Sequence, residues 1–91
     1  MQFSWDPTKA RENARRHRVT FEEALTVFRD DLAWIHDDPD HSIGEDREII
    51  IGTSAKNRLI LVCFTERGEV VRIINARRPD SAERRDYEES R

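Results

Sequence analysis

The chain has little of what marks secreted, disulfide-linked or membrane proteins. Its one cysteine, Cys63, cannot form an internal disulfide, and its place in the apolar stretch LILVCF predicts a small buried side chain. No apolar stretch approaches the roughly 20 residues that a membrane-spanning helix needs. The first ten residues include an acid and no apolar run, which is not typical of a signal peptide. We therefore expect a cytoplasmic protein that does not bind a membrane.

The chain also lacks the residue spacing of a metal centre. The segment HDDPDH at positions 36–41 places two histidines among carboxylates. It has neither the ligand pattern of a calcium loop nor the Cys/His spacing of a zinc site. Roles in a solvated loop or at a helix cap explain these residues better. We therefore expect no metal ion and no cofactor.

What the chain does have is a strong segregation of charge. Its length of 91 residues suits one compact domain over residues 1–91, with a formal net charge of -3. Residues 9–18 carry a formal charge of +4, residues 30–46 carry -7, and residues 56–85 carry +4. Two basic segments on either side of an acidic one predict surfaces of opposite sign, and partners that recognise them.

Hydrophobic patterning predicts the element order β-α-α-β-β-β-β-α. A first helix begins with Asp6 as N-cap and Pro7 in the first turn, and a second begins at Thr20, with Glu23 placed to complete a capping box. Later strands are predicted over residues 32–36, 47–54, 59–65 and 70–76, and a final helix begins near Ser81. Short turns between these strands favour an antiparallel meander. The expected fold is α+β, with an antiparallel sheet packed against two N-terminal helices and a C-terminal helix.

The last predicted strand, VVRIINAR, carries arginine among core residues. Strict alternation would place Arg72 on one face with Ala76, and Arg77 on the other face. A buried arginine is costly unless it is paired or lies at an edge. Taken alone, Arg72 is best explained by an ion pair with a carboxylate on a neighbouring strand, for example Glu48.

The cations of the predicted sheet favour a second interpretation when they are counted together. Neighbouring strands of a meander would bring them towards one face, although no regular spacing marks the set: Arg47, Lys56, Arg58, Arg72, Arg77 and Arg78. Guanidinium groups match phosphate oxygens with two parallel hydrogen bonds. Such a sheet predicts a binding surface for the backbone of single-stranded RNA.

Three further side chains are candidates for the same site. His17 lies in the first basic segment and is the histidine best placed to move a proton near neutral pH. Trp5 and Tyr87 could stack on a base, but packing in the core is the favoured explanation for both.

Motifs along nearly the whole chain form a recognisable set. FxWDxxK at residues 3–9 is followed by Asn13, by Arg16-His17 and by VxFEEA at 19–24, and then by the D-H-S, E-x-R and G-x-S elements and RIINAR at 72–77. Together they resemble the BrnT toxins of bacterial BrnT–BrnA toxin–antitoxin pairs. Each motif is weak alone, and the combination is specific. The chain departs from the family pattern at Asn75, where serine is usual.

The resemblance implies a RelE-like fold and a ribonuclease activity that inhibits translation. It also implies neutralisation by a BrnA-like antitoxin with a ribbon-helix-helix domain, and binding of operator DNA only by the toxin–antitoxin complex. With the cations above, it predicts a metal-independent endoribonuclease that uses the RNA 2′-hydroxyl as nucleophile. The predicted catalytic residues are Arg58, Arg72, Arg77 and His17, and the predicted substrate-binding residues are Lys9, Trp5, Arg47, Arg78 and Lys56.

Two other functions are compatible with the same residues. The basic face could belong to a non-enzymatic binding module that docks an acidic partner, and cleavage of RNA by the isolated protein would separate these cases. A free-standing DNA-binding protein is the weaker alternative. The second helix carries Glu22 and Glu23 where a recognition helix contacts DNA, and carboxylates repel phosphate.

Overall fold

The computed structural model describes residues 1–38 and 46–90. Its elements follow the predicted order: β1 (Gln2–Ser4), α1 (Pro7–His17), α2 (Phe21–Thr26), β2 (Trp34–Asp37), β3 (Arg47–Thr53), β4 (Leu59–Arg67), β5 (Val70–Arg77) and α3 (Ser81–Glu89). A 3-10 turn, Val27–Arg29, extends α2. The D-H-S motif and His41 lie outside the described residues. Among the helices that the structure describes, none combines the length and apolar character needed to cross a membrane.

The five strands form one sheet in the order β1-β5-β4-β3-β2. Strands β2 to β5 make the predicted antiparallel meander. β1 instead runs parallel to β5, which patterning did not anticipate, and it pairs only with Val70–Arg72. The predicted α+β architecture is confirmed, and beyond Arg72 the outer edge of β5 pairs with no strand of the described residues.

The main core lies between the sheet and the two N-terminal helices. Val19, Phe21, Ala24 and Val27 are fully buried there against apolar side chains from β3, β4 and β5. A second, smaller cluster lies on the other face, where Tyr87 of α3 packs on residues of β3 and β4. α3 therefore covers one end of this second face, and no other described helix belongs to the cluster there.

Helix caps confirm part of the predicted start signals. The Asp6 carboxylate accepts a hydrogen bond from the Thr8 amide at 2.8 Å, as expected of the α1 cap. At α2 the Thr20 hydroxyl accepts from the Glu23 amide at 3.0 Å, but the Glu23 side chain is bonded elsewhere, so the predicted capping box is only half formed. α3 begins at Ser81, as predicted, with Asp80 as its N-cap.

A bulge in β5 changes which side chains share a face. Opposite β4, the register runs from Phe64 with Ile73 to Cys63 with Asn75, so that Ile74 has no counterpart. Beyond this point the alternation of β5 is reversed. The prediction that Arg72 and Arg77 lie on opposite faces is therefore wrong.

Candidate active site

Three rows of side chains cross the second face of the sheet. Residues directly opposite one another in antiparallel strands point to the same side, so the register fixes each row. The rows are Trp34–Ile51–Leu61–Arg77, His36–Ile49–Cys63–Asn75 and Arg47–Thr65–Arg72. The first row contains apolar residues that pack against α3, and the third carries two arginines on the strands that flank β4. Because neighbouring strands lie about 4.8 Å apart, the Arg47 and Arg72 backbones are about 10 Å apart.

A groove of about 440 Å³ lies where α1 meets this face. Four of the side chains that line it are fixed cations and only one is a carboxylate, so the groove carries an excess of positive charge. The lining residues are Lys9, Glu12, Asn13, Arg16, His17, Arg47, Ile74, Asn75 and Arg77. We refer to the space bounded by these residues as the groove.

The spacing of residues in α1 explains its contribution to the groove. Lys9, Asn13, Arg16 and His17 fall at i, i+4, i+7 and i+8, which places them along one side of the helix. The last turn is basic, and cations there interact favourably with the carbonyl end of the helix dipole. Arg18 then ends the helix in the left-handed conformation, with a φ of 59°. The same residues therefore stabilise α1 and charge the groove.

Arg77 is held by Glu83 of α3. Its Nη1 donates to Oε1 at 2.7 Å and its Nη2 to Oε2 at 2.8 Å. These hydrogen bonds raise the pKa of the Arg77 guanidinium and lower the pKa of Glu83. Nη1 also donates to the Arg78 carbonyl at 3.4 Å. Two donors remain, on Nε and Nη2, and such a pair suits two oxygens of a phosphate.

Arg72 is half-buried and, within residues 1–38 and 46–90, forms no ion pair. The suggested partner, Glu48, lies opposite Phe64, whose ring is in the main core on the other face. The predicted Arg72–Glu48 pair is therefore wrong. Arg72 lies on the same face as Arg77, and no carboxylate of the described residues neutralises it.

Arg58 belongs to a different network. Its Nε donates to Glu23 Oε2 at 3.0 Å, its Nη2 donates to Glu23 Oε1, and Nη2 also donates to the Arg18 carbonyl at 2.9 Å. Ser54 donates to the same carboxylate at 2.7 Å. The Glu23 side chain is almost fully buried, and these bonds lower its pKa. Arg58 neutralises a buried acid and does not line the groove, so it does not converge with Arg72 and Arg77.

Comparison with known proteins agrees with this architecture. A family model described as the ribonuclease toxin, BrnT, of a type II toxin–antitoxin system matches residues 5–83. The chain belongs to the BrnT family. The crystal structure of the Brucella abortus ribonuclease toxin, BrnT, superposes with a TM-score of 0.67 over 89% of this chain and 99% of that one. At 21% identity that likeness shows the fold alone. No match was found among curated proteins.

The BrnT motif residues divide between scaffold and groove. Trp5 is half-buried and meets Phe21 edge to face, with 5.8 Å between ring centroids, as the core interpretation expects. Tyr87 is buried as well. Lys9 and His17 line the groove, and Asn13 lies between them.

The structure brings together only part of the predicted site. Lys9, His17, Arg47 and Arg77 line the groove, and Arg72 lies on the same sheet face. Other predicted residues lie apart from it: Trp5 in the core, Lys56 exposed in the β3–β4 turn, Arg78 exposed beyond β5, and Arg58 beside Glu23.

Residues that sequence reasoning did not assign to the site also line the groove, namely Glu12, Asn13, Arg16, Ile74 and Asn75. The four-residue spacing from Lys9 through Asn13 to His17 was the available signal for Asn13.

The HDDPDH segment can be followed only as far as Asp38, and its last three residues lie outside the described ranges. Among the described side chains, no three potential metal ligands cluster. His36 instead packs against Trp34, with ring centroids 4.4 Å apart.

Proposed function

We propose that this BrnT-family protein is a metal-independent endoribonuclease that cleaves single-stranded RNA and so inhibits translation. One observation carries the proposal. A positively charged groove lies on the same sheet face as Arg77 and Arg72, and Arg72 has no ion-pair partner among the described residues. Rigid strands hold both arginines, so little reorganisation is needed when a phosphate binds between them.

The reaction that fits this arrangement is attack by an RNA 2′-hydroxyl on the adjacent phosphorus. The 2′-oxygen forms a bond to phosphorus as the bond to the 5′-oxygen breaks, which leaves a 2′,3′-cyclic phosphate and a new 5′-hydroxyl. Negative charge grows on the phosphoryl oxygens, and Arg72 and Arg77 stabilise it. His17, half-buried in the groove, takes the 2′-hydroxyl proton or donates one to the leaving 5′-oxygen.

Roles for the other predicted residues follow from their positions. Lys9 and Arg47 bind phosphates on either side of the scissile one. Arg58 supports the fold through Glu23. Arg78 and Lys56 contribute charge at the periphery, and Trp5 serves the core.

Membership of a type II family implies a protein antitoxin as partner. We propose further that this antitoxin is BrnA-like with a ribbon-helix-helix domain, and that operator DNA is bound only by the complex. The same proposal includes a RelE-like toxin domain over residues 1–91, acting in the bacterial cytoplasm.

The test is cleavage of a labelled single-stranded RNA by purified, antitoxin-free protein in excess EDTA. We expect wild-type protein to release a 2′,3′-cyclic phosphate. Arg72→Ala should lose at least 100-fold in kcat, in line with the loss of a charge-stabilising group. Arg29→Ala removes an exposed arginine outside the groove and is the charge-matched control. Equal activity of Arg72→Ala and the control would refute the catalytic assignment.

Absence of cleavage by the wild type would move the search to translating extracts, where a ribosome-dependent activity would appear. If the protein neither cleaved RNA nor inhibited translation, we would assign the basic face to the docking of an acidic partner protein instead.

A further inference from the structure

The outer edge of β5 is completed by a side chain of α1. β1 pairs with β5 only as far as Arg72, and four residues further along β5 the backbone of Ala76 bonds to Asn13 of α1. Asn13, in the middle of α1, is 93% buried there, with a relative exposure of 7%. A buried amide in a helix facing a strand edge needs partners, because an unsatisfied polar group is costly.

The partners of Asn13 are backbone atoms. Its Nδ2 donates to the Ala76 carbonyl at 2.8 Å, and its Oδ1 accepts from the Ala76 amide at 3.1 Å. The side-chain amide therefore pairs with Ala76 as a neighbouring strand would. Nδ2 also donates to the Val19 carbonyl at 2.9 Å, which ties the segment between α1 and α2 to the same point.

Asn13 itself lines the groove, and Ala76 lies between two β5 residues that line it. Along α1, Lys9 is four residues before Asn13 and His17 is four residues after it, on the same side of the helix. Along β5, Asn75 and Arg77 flank Ala76 immediately after the bulge. The two sets of groove side chains are thus joined through one amide, which fixes how far α1 stands from β5 and how it is rotated.

We propose that Asn13 is a positioning residue that holds the cations of α1 and β5 in register, so that one nucleic-acid strand contacts both sets at once. The inference rests on the proposed use of the groove for RNA. Asn13 is not assigned a contact with the reacting atoms. No other natural side chain of this size offers two donors and one acceptor in the same geometry.

The test variant is Asn13→Leu, which has a similar size and a better helix propensity but makes none of the three hydrogen bonds. It removes no charge. Val27→Ala, a core truncation in the 3-10 turn, is the control for a general loss of stability. Both variants are measured well below their unfolding midpoints, so that folded protein is compared with folded protein.

The first readout is the affinity for a single-stranded 2′-deoxy oligonucleotide, which lacks the proposed nucleophile, as a function of salt. The slope of the logarithm of the association constant against the logarithm of the salt concentration reports the number of phosphates that the protein contacts. We expect Asn13→Leu to lower the magnitude of that slope by about 1 or more, although its formal charge is unchanged. Val27→Ala should have the same slope as the wild type, because a lower stability does not by itself change the relative positions of the cations in the folded protein.

The second readout is kcat on RNA at saturating substrate. We expect a loss of about 10- to 100-fold for Asn13→Leu and less than 2-fold for Val27→Ala, since small misplacements of reacting groups have effects of that order. A wild-type slope together with a wild-type kcat in Asn13→Leu would overturn the proposal, whereas RNA cleavage by the wild type would still stand.

The remaining outcomes also decide. A reduced slope in a protein that cleaves RNA neither alone nor in translating extracts would support the positioning role and refute the nuclease proposal. Failure of the wild-type protein to bind the oligonucleotide would overturn the positioning role, and the cleavage assay would then decide the nuclease proposal by itself.

Discussion

Arg77 and Glu83 form a two-point ion pair that joins the end of β5 to the first turn of α3. The same carboxylate accepts from the Asp80 amide at 2.9 Å, and the Asp80 carboxylate accepts from the Glu83 amide at 2.8 Å, which completes a capping box. Glu83 thereby starts the helix and orients a groove arginine at the same time. One side chain thus contributes both to the start of α3 and to the orientation of Arg77.

Glu83→Gln should separate binding from catalysis. It removes a negative charge beside the groove, so we expect tighter RNA binding at low salt, while kcat falls because Arg77 loses its fixed orientation. The free energy of unfolding should fall by about 1 kcal/mol, from the weakened cap and a partly exposed ion pair. Binding isotherms, single-turnover cleavage and urea unfolding measure the three effects.

Glu88→Gln is the matched control for that variant, because Glu88 is an exposed carboxylate on the same helix. It should change neither kcat nor stability measurably. An unchanged kcat in Glu83→Gln would mean that the orientation of Arg77 does not matter to cleavage.

Local signals predicted the elements well. Asp6 and Pro7 marked the start of α1, and the turn before β5 was marked by Gly68, which adopts a φ of 63°. Caps and turns depend on residues only a few positions apart, so the sequence shows them directly.

The site was less predictable because its geometry depends on contacts between distant residues. Alternation along β5 gave the wrong face for Arg77, since the bulge at Ile74 exists only relative to the register of β4. Arg58 looked like a site arginine until its partner, Glu23, 35 residues away, was seen. The helical spacing of Lys9, Asn13 and His17 could have placed Asn13 beside two predicted site residues, but its hydrogen bond to Ala76, 63 positions along the chain, is hidden from any local pattern.

Arg58→Ala should impair the fold rather than the chemistry. It leaves the buried Glu23 carboxylate without its cation, and we expect the free energy of unfolding to fall by about 2–3 kcal/mol at pH 7. For the folded fraction, kcat on RNA should remain within about 2-fold of the wild type, because Arg58 does not line the groove. Thermal unfolding and cleavage at a temperature where both proteins are folded would measure this. A large loss of kcat in fully folded protein would return Arg58 to the catalytic set.

The Glu23–Arg58 pair should also make stability depend on pH in the acid range. Hydrogen bonds from Arg58 hold the pKa of Glu23 below its ordinary value of 4.5, although burial acts in the opposite direction. Because the folded pKa is lower than the unfolded one, the contribution is fully present above pH 4.5 and is lost as the pH falls through the folded pKa. Glu23→Gln should therefore be less stable than the wild type at pH 7, and the difference should shrink below pH 4.5. If the difference in unfolding free energy between the wild type and Glu23→Gln stayed constant from pH 7 to pH 3, the ionised Glu23 would not be the source of this pH dependence.

Glu48 should show the opposite behaviour. Burial, followed by the nearby carboxylates of Glu66, Asp37 and Asp46, raises the pKa of Glu48, and Asp37 lies directly opposite it across β2 and β3. A raised folded pKa means that protonation favours the fold, so this contribution is present below pH 4.5 and is lost as the pH rises through the folded value. Glu48→Gln should thus increase the free energy of unfolding at pH 7 by about 0.5–1 kcal/mol, the scale of like charges opposed in a sheet.

Urea unfolding at pH 7 and pH 4 measures this effect, with Glu22→Gln as an exposed control on α2. Stabilisation by Glu48→Gln at pH 7 that disappears at low pH would show that repulsion among these acids weakens the fold at neutral pH. Equal effects of the two variants at pH 7 would instead mean that the carboxylates around Glu48 carry their charge without cost to the fold, because removal of one of them would then relieve no repulsion.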